Sequence, residues 1–209
     1  MKNLKKYVIA IVCIVFSLPI LAQDNNNPNN TSETLFGKKI PFGVAVTVFY
    51  NGSGVDGDFT HAGGARLGLV FNNNLSVGGF YQGSGEIRPD SEVNLDNNFY
   101  MDMRIGGGYI EYTLQPTKLV HFTFPLMIGI GEVEIDSDSY DSFSNESFGE
   151  DNFVVVEPQA LVEINLHKNL KLNAGVGYRW ASDVNYRQIT NQDLSSLTGT
   201  IGLKVGLFR

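Results

Sequence analysis

Cysteine is almost absent from this 209-residue chain, and the single example, Cys13, lies in an apolar stretch near the N-terminus. No disulfide can therefore stabilise the rest of the chain. Long apolar runs are equally scarce. After residue 22, no segment approaches the roughly 20 consecutive apolar residues that a membrane-spanning helix needs. If the chain resides in a membrane, it must cross that membrane with strands.

Basic residues are also in short supply, with 15 lysines and arginines against 22 acidic residues, which argues against nucleic acid as a partner. Three of the lysines precede an apolar stretch from 7 to 21, and Leu21-Ala22-Gln23 then gives way to a polar, Asn-rich segment. This is the three-part pattern of a cleaved secretory signal peptide. We assign 1–22 to a signal peptide, 23–38 to a flexible polar periplasmic leader, and 39–209 to one β-barrel domain.

From residue 40 onward, apolar and polar residues alternate with a period of two, which predicts β-strands. Eight segments have the length expected of tilted membrane strands. They cover 40–51, 60–71, 74–83, 101–114, 118–131, 153–166, 169–181 and 196–208. Gly106-Gly107-Gly108 interrupts the alternation in the fourth segment and predicts a β-bulge there.

Volume indicates which face of these strands points inward. The interior of an eight-stranded barrel is just wide enough to be filled by side chains, and rows of Leu, Val, Phe and Tyr would overfill it. We therefore predict that the apolar face contacts lipid and that Gly, Ser, Thr, Asn and a few charges line the lumen. The connections agree with a membrane barrel, because short links alternate with longer ones that cover about 84–100, 132–152 and 182–195.

Aromatic residues are concentrated near the predicted strand ends, where tyrosine and tryptophan favour the membrane interface. At the long-loop end, we assign to such a girdle Phe49, Tyr50, Tyr81, Phe99, Tyr100, Phe153, Tyr178 and Trp180. At the short-turn end, we assign Phe71, Tyr112, Phe122 and Phe208.

With these features, residues 39–209 resemble the small outer-membrane β-barrels of the OmpA-barrel and OmpX-like group and their porin-like relatives. The resemblance rests on strand number, alternation and loop asymmetry. It implies an all-β, closed, antiparallel up-and-down barrel in the outer membrane of a Gram-negative-type bacterium. Such a barrel is expected to be a monomer, inserted by the barrel-assembly machinery and surrounded by lipid and lipopolysaccharide. One departure is that Phe208 is penultimate, whereas these families usually end on an aromatic residue.

A network of charges is the first candidate site, because the alternation turns charges of both signs into the lumen. Such charges must pair, since an unpaired buried charge costs several kcal/mol. Their pairing predicts a lumen plugged by its own side chains. The network comprises Arg66, Glu111, Glu157, Glu163, Lys171, Arg179 and Lys204.

Two weaker candidates lie near the long-loop end. Residues 132–151 contain eight carboxylates and no lysine or arginine, and the oxygen-rich cluster of Asp136, Asp138 and Asp141 is a calcium candidate. The competing interpretation is a solvated acidic loop. His61, with Ser53 nearby, is a candidate pair for a lipid-modifying enzyme, although no Ser/His/Asp motif accompanies it.

The sequence thus predicts a non-enzymatic outer-membrane barrel that needs no cofactor. We expect it to have a plugged polar lumen and acidic extracellular loops, and to serve envelope integrity or surface interaction. Two alternatives stay open at this point, a narrow pore or small-solute transporter and a lipid-modifying barrel enzyme.

Overall fold

The computed structural model describes residues 42–55, 58–84, 99–137, 151–182 and 191–208. The predicted signal peptide and leader lie outside these residues. Among the described residues, no helix has the length and apolarity needed to cross a bilayer. The strands are β1 (Phe42–Val55), β2 (Asp58–Phe71), β3 (Leu75–Ser84), β4 (Phe99–Leu114), β5 (Val120–Ser137), β6 (Asp151–His167), β7 (Leu170–Ser182) and β8 (Ser196–Gly206), with a short helix α1 (Asn191–Leu194) before β8.

Each strand pairs with the next one in antiparallel fashion, and β1 pairs with β8 to close the barrel. The closing register runs from Ala45 opposite Gly206 to Ser53 opposite Thr198. Closure leaves no unpaired strand edge. The predicted all-β, eight-stranded, up-and-down barrel is confirmed. The main difference is that β5 continues to Ser137 and β1 to Val55, so both strands extend several residues further toward the long-loop end than the alternation indicated.

Three short turns lie at one end of the barrel, which we name the short-turn end; the opposite end is the long-loop end. The turns comprise residues 72–74, 115–119 and 168–169. Asn72, Asn73 and Gln115 adopt left-handed backbone angles, with φ of 51°, 60° and 51°. Asparagine tolerates this conformation better than most residues do, so the run of three asparagines after β2 suits a tight reversal.

The faces of the strands are distributed as predicted, with apolar side chains outside and charged side chains inside. On β2, for example, Arg66 is 1% exposed whereas its neighbour Leu67 is 58% exposed. Arginine is almost never fully buried in a protein that meets water on its outer surface, unless it is paired. The exposed apolar belt therefore faces lipid, and the buried polar face forms the lumen.

The bulge predicted at Gly106-Gly107-Gly108 is not present. The register of β4 runs without a break against both neighbours. Met103, Ile105 and Tyr109 point inward together with Glu111, so the parity is continuous through Gly107. The alternation of apolar and polar residues is interrupted here because apolar residues occupy the inner face, while the strand itself is regular. A register shift does occur between Asn165 and His167, where β6 pairs with β7.

The lumen also differs from the prediction of a small, polar lining, because its long-loop half holds a large apolar cluster beside polar side chains such as Ser53 and Gln82. A cluster of buried side chains fills it: Phe80, Met103, Ile105, Tyr109, Met127, Val133, Phe153, Val155, Ala181 and Leu194. Glycines create the necessary space. A Cβ atom at Gly131 would lie 2.2 Å from Cζ of Phe153, and one at Gly129 would lie 3.1 Å from Cζ of Phe80. Leu194, carried by α1, is completely buried.

The aromatic girdle is only partly as predicted. Tyr50, Tyr81 and Tyr178 are exposed on the outer face at the long-loop end, and Tyr112 and Phe122 at the short-turn end. Phe49 and Phe153 instead point into the lumen and are buried. The ring of Phe208 lies over Lys171, with Nζ 4.3 Å from the ring centroid. The side chains of Phe99 and Tyr100 lie outside the described residues.

Candidate functional site

The structure places all seven charges of the proposed network inside the barrel, in two separate groups. Strand parity determines this placement, since every one of them occupies a position whose neighbours along the strand face outward. The group toward the short-turn end is named the Glu163 cluster and consists of Arg66, Glu111, His121, Glu163, Lys171 and Lys204. The second is named the Glu157 cluster and consists of Glu157, Gln159, Arg179, Thr198 and Thr200.

In the Glu163 cluster, one carboxylate contacts three basic side chains. Glu163 Oε1 accepts a hydrogen bond from Lys171 Nζ at 3.0 Å and lies 2.9 Å from His121 Nε2. Its other oxygen, Oε2, lies 2.5 Å from Lys204 Nζ. His121 Nδ1 lies 3.0 Å from the carbonyl oxygen of Lys118, so both ring nitrogens of His121 lie close to protein oxygen atoms.

Lys204 links this carboxylate to a second one. Its Nζ donates to Glu111 Oε1 at 2.7 Å, and Glu111 Oε2 lies 3.7 Å from Arg66 Nη1. The Arg66 guanidinium lies 5.2 Å from the ring centroid of Phe49 and 5.8 Å from that of Tyr109, within the range of cation–π attraction. None of its nitrogens has a hydrogen-bond partner among the described protein atoms. The aromatic rings therefore stabilise the positive charge of Arg66, because Glu111 lies too far away to form a hydrogen bond with it.

The Glu157 cluster joins β6, β7 and β8. Glu157 Oε2 accepts from Arg179 Nε at 3.1 Å, while Oε1 accepts from Gln159 Nε2 at 2.8 Å and from Thr198 Oγ1 at 3.1 Å. Hydrogen bonds continue from Thr200 to Asn51 and from Asn51 to Gln82, at 2.7 and 3.0 Å, so the cluster reaches across to β1 and β3. His121 and these uncharged partners were not part of the sequence prediction. The signal in the sequence that could have identified them is their position on the inward-facing side of each strand.

The chemistry available to these clusters is pairing and hydrogen bonding. Both are fully buried, which makes them part of the packed interior. No group of three or more His, Cys, Asp or Glu side chains among the described residues is arranged to hold a metal ion. Asp138 and Asp141 of the calcium candidate lie outside the described residues, and only the backbone of Asp136, in β5, lies within them.

The proposed Ser53 and His61 pair is not assembled. Ser53 on β1 points into the lumen, whereas His61 on β2 is exposed on the outer face and stacks on Tyr50, with ring centroids 6.2 Å apart. The two residues lie on opposite faces of the sheet. A hydroxyl activated by that imidazole would need them within hydrogen-bonding distance.

Neither a family model nor a curated protein matches the sequence. Solved structures do match. Neisserial surface protein A is 16% identical with a TM-score of 0.55, covering 78% of this chain and 96% of that one. The N-terminal β-barrel domain of OprF from Pseudomonas aeruginosa is 9% identical with a TM-score of 0.48, covering 78% and 96%. The attachment invasion locus protein Ail of Yersinia pestis is 15% identical with a TM-score of 0.44, covering 79% and 95%.

At such low identity, the likeness to Neisserial surface protein A establishes a shared fold. The closed strand order and the apolar exterior agree with it. The fold is therefore that of a small transmembrane β-barrel of the bacterial outer membrane.

Proposed function

We propose that this outer-membrane barrel is a non-enzymatic membrane anchor whose lumen is plugged and whose loops act at the cell surface. One observation carries the proposal, namely that the inward-facing side chains of the described strands are almost all buried. Phe208 and Lys171 lie at the short-turn mouth, the two polar clusters occupy the middle, and the apolar cluster with Leu194 lies toward the long loops. Water-filled channels occur in much wider barrels, of about 16 strands.

The energetics favour a permanent plug. Opening a passage through the Glu163 cluster would require carboxylates and ammonium groups to separate in a narrow interior. Breaking one buried pair typically costs about 3–5 kcal/mol. The apolar cluster adds a second barrier, because the large buried side chains of Phe80, Met103, Met127 and Phe153 occupy that part of the lumen.

The proposed function then resides at the long-loop end of the barrel. The sequence that connects β5 to β6 contains Asp138, Asp141, Glu146 and Glu150, with no lysine or arginine. An acidic surface of this kind would favour cationic partners, or divalent ions that bridge it to lipopolysaccharide. Neisserial surface protein A, which shares the fold, is a surface protein by its name. Surface interaction or envelope integrity is the function that this arrangement supports best.

Planar-bilayer recording of the refolded protein tests the plugged lumen. We expect no steady unit conductance in molar KCl. A matched variant, Met127→Gly with Phe153→Gly, removes two of the largest fully buried side chains and shows whether the assay detects a widened lumen. Its folding is checked by electrophoretic mobility without heating. Steady conductance from the unmodified protein would contradict the plug.

A narrow pore is the second candidate, and one observation favours it. Nη1 and Nη2 of Arg179 and all three guanidinium nitrogens of Arg66 lack partners among the described protein atoms, so they are available to water. Step-like currents that disappear when Arg66 is replaced by Met would support this candidate.

A lipid-modifying enzyme is the third candidate, although the positions of Ser53 and His61 do not favour it. Mass spectra of lipid A from cells with and without the protein would separate it from the anchor. We expect no difference, and a mass shift that depends on the protein would overturn the non-enzymatic proposal.

A further inference from the structure

A cavity of about 350 Å³ opens at the short-turn mouth of the barrel. Its walls come from all three short turns, from the adjacent ends of β6 and β7, and from Phe208, which follows β8. The lining residues are Asn73, Pro116, Asn165, His167, Lys168, Lys171 and Phe208. Its volume lies at the lower end of the range for small-ligand sites. We propose that this mouth binds an oxyanion, a phosphate or carboxylate group, on the periplasmic side of the membrane.

Charge is the first argument. Three basic side chains line the cavity, those of His167, Lys168 and Lys171, and none of its lining residues within the described part of the chain carries a carboxylate side chain. The three turns that surround it, residues 72–74, 115–119 and 168–169, contain no aspartate or glutamate. A concave surface lined by one sign of charge, with low-dielectric walls, concentrates ions of the opposite sign.

The layer behind the cavity strengthens the same field. Lys171 Nζ is shared between Glu163 and the face of the Phe208 ring, so only one of its three N–H groups is used by a carboxylate. The Glu163 cluster has two carboxylates, those of Glu111 and Glu163. Against them stand three cations, those of Arg66, Lys171 and Lys204. An oxyanion at the mouth would offset this excess of positive charge.

The geometry distinguishes groups that brace the mouth from groups that are free to bind. Asn165 Nδ2 donates to the carbonyl oxygens of Pro116 and Lys118, at 3.0 and 2.7 Å, and so ties the end of β6 to the turn of residues 115–119. His167 Nδ1 accepts from the backbone N–H of Asn169 at 3.4 Å, which leaves Nε2 as the donor. Lys168 is exposed. Lys168, Lys171 and His167 Nε2 are therefore the donors that would hold the oxyanion.

Two sources offer this chemistry, free oxyanions in the periplasm and the phosphate of a phospholipid headgroup in the adjacent leaflet. The experiment follows backbone amide NMR signals of the refolded full barrel, first in dodecyl maltoside, which contains no phosphate, and then in phospholipid nanodiscs. Inorganic phosphate is added at constant ionic strength, with chloride as the balancing ion. We expect saturable shifts confined to residues 73, 167–171 and 206–208 in the maltoside.

The variant Lys168→Gln should weaken this binding about tenfold, since it removes one charge-assisted hydrogen bond. Lys118→Gln is the matched control, because Lys118 lies in a neighbouring turn but does not line the cavity. It should leave binding within about twofold, as expected of a solvent-exposed charge that does not line the cavity.

The measurement in phospholipid nanodiscs identifies which of the two sources supplies the oxyanion. Phosphate binding that persists there indicates a free oxyanion. Signals already shifted before phosphate is added, in a manner that depends on Lys168, indicate a lipid headgroup. Unsaturable shifts, equal responses to chloride and phosphate, or equal effects of Lys168→Gln and Lys118→Gln would each overturn the proposal.

Discussion

At the residue scale, glycine serves two different purposes in this barrel. On the inner face, Gly129 and Gly131 provide space for the rings of Phe80 and Phe153, as large and small side chains interlock. On the outer face, Gly63 and Gly83 form a cross-strand pair whose Cβ positions have no heavy atom within 4 Å. Only the inner glycines are required by packing, so the two sets should respond differently to the same substitution.

We expect Gly131→Ala to destabilise the barrel by about 1–3 kcal/mol, the usual cost of overpacking a filled interior. Reversible denaturant unfolding in lipid vesicles measures the change. Gly83→Ala is the matched control and should stay within about 0.5 kcal/mol of the unmodified protein. Adding Phe153→Leu to Gly131→Ala should restore part of the loss. If Gly131→Ala and Gly83→Ala are equally tolerated, the ring of Phe153 has more space than the structure shows.

Glu163→Gln should cost about 3–5 kcal/mol in the same unfolding experiment, because it leaves Lys171, Lys204 and His121 close together with Glu111 as the nearest carboxylate. Thr113→Val, which removes one hydrogen bond with Thr123 in the same region, should cost about 1 kcal/mol. The double variant Glu163→Gln with Lys204→Gln should lose less than the sum of its parts, since it also removes a cation. Strict additivity would show that the two residues are not coupled.

At the scale of the element, strand parity was the most informative signal in the sequence. It predicted the eight strands, their inner and outer faces, and the inward direction of all seven network charges. The same parity also places Phe153 on the face of Glu157 and Phe208 on the face of Lys204. The preference of aromatic rings for the membrane interface led to the wrong assignment of these two residues, because a ring also fills a lumen well when a glycine faces it.

The lipid-facing side of β8 provides a test of how deeply each residue lies in the bilayer. Ile201 lies at the middle of the strand and is 52% exposed, whereas Leu207 lies just beyond its short-turn end and is 54% exposed. We expect Ile201→Lys to cost about 2–4 kcal/mol and Leu207→Lys about 0–1 kcal/mol, because the cost of a charge falls toward the interface. Since both positions are equally exposed, equal costs would show that β8 does not cross the hydrocarbon layer.

At the scale of the whole molecule, the long-loop end was the least predictable part. Helix α1 has four residues, too few for a helical period to be recognised, yet its Leu194 completes the apolar cluster. Ser195 secures it, accepting from the N–H of Ala181 at 3.0 Å and donating to the carbonyl oxygen of Asn191 at 2.6 Å. The mouth cavity was equally hidden, since residues from three separate turns line it. Contacts between residues distant in sequence decide both features.

A closed barrel of this kind should keep its structure in sodium dodecyl sulfate at room temperature and migrate faster than its heated form. All backbone pairing between neighbouring strands is internal, which leaves no edge for the detergent to open. Gel electrophoresis of unheated and boiled membrane fractions measures this difference. A variant that lacks residues 196–209 has no β8 and should show the mobility of the heated form at both temperatures. Recovery of the full-length protein from the soluble periplasm would contradict its assignment to the outer membrane.

The seam between β1 and β8 has a consequence for the order in which the molecule assembles. Asn51 and Thr200, which are hydrogen-bonded across it, are separated by 149 positions in the chain. Lys204 from β8 also joins Glu111 to Glu163, and Thr198 binds Glu157. Seven strands alone would therefore carry two open edges and carboxylates with missing partners, which hydrocarbon does not tolerate. Contacts between residues so distant in sequence form slowly. We therefore expect the barrel to enter the bilayer and to close the seam between β1 and β8 in a single kinetic step.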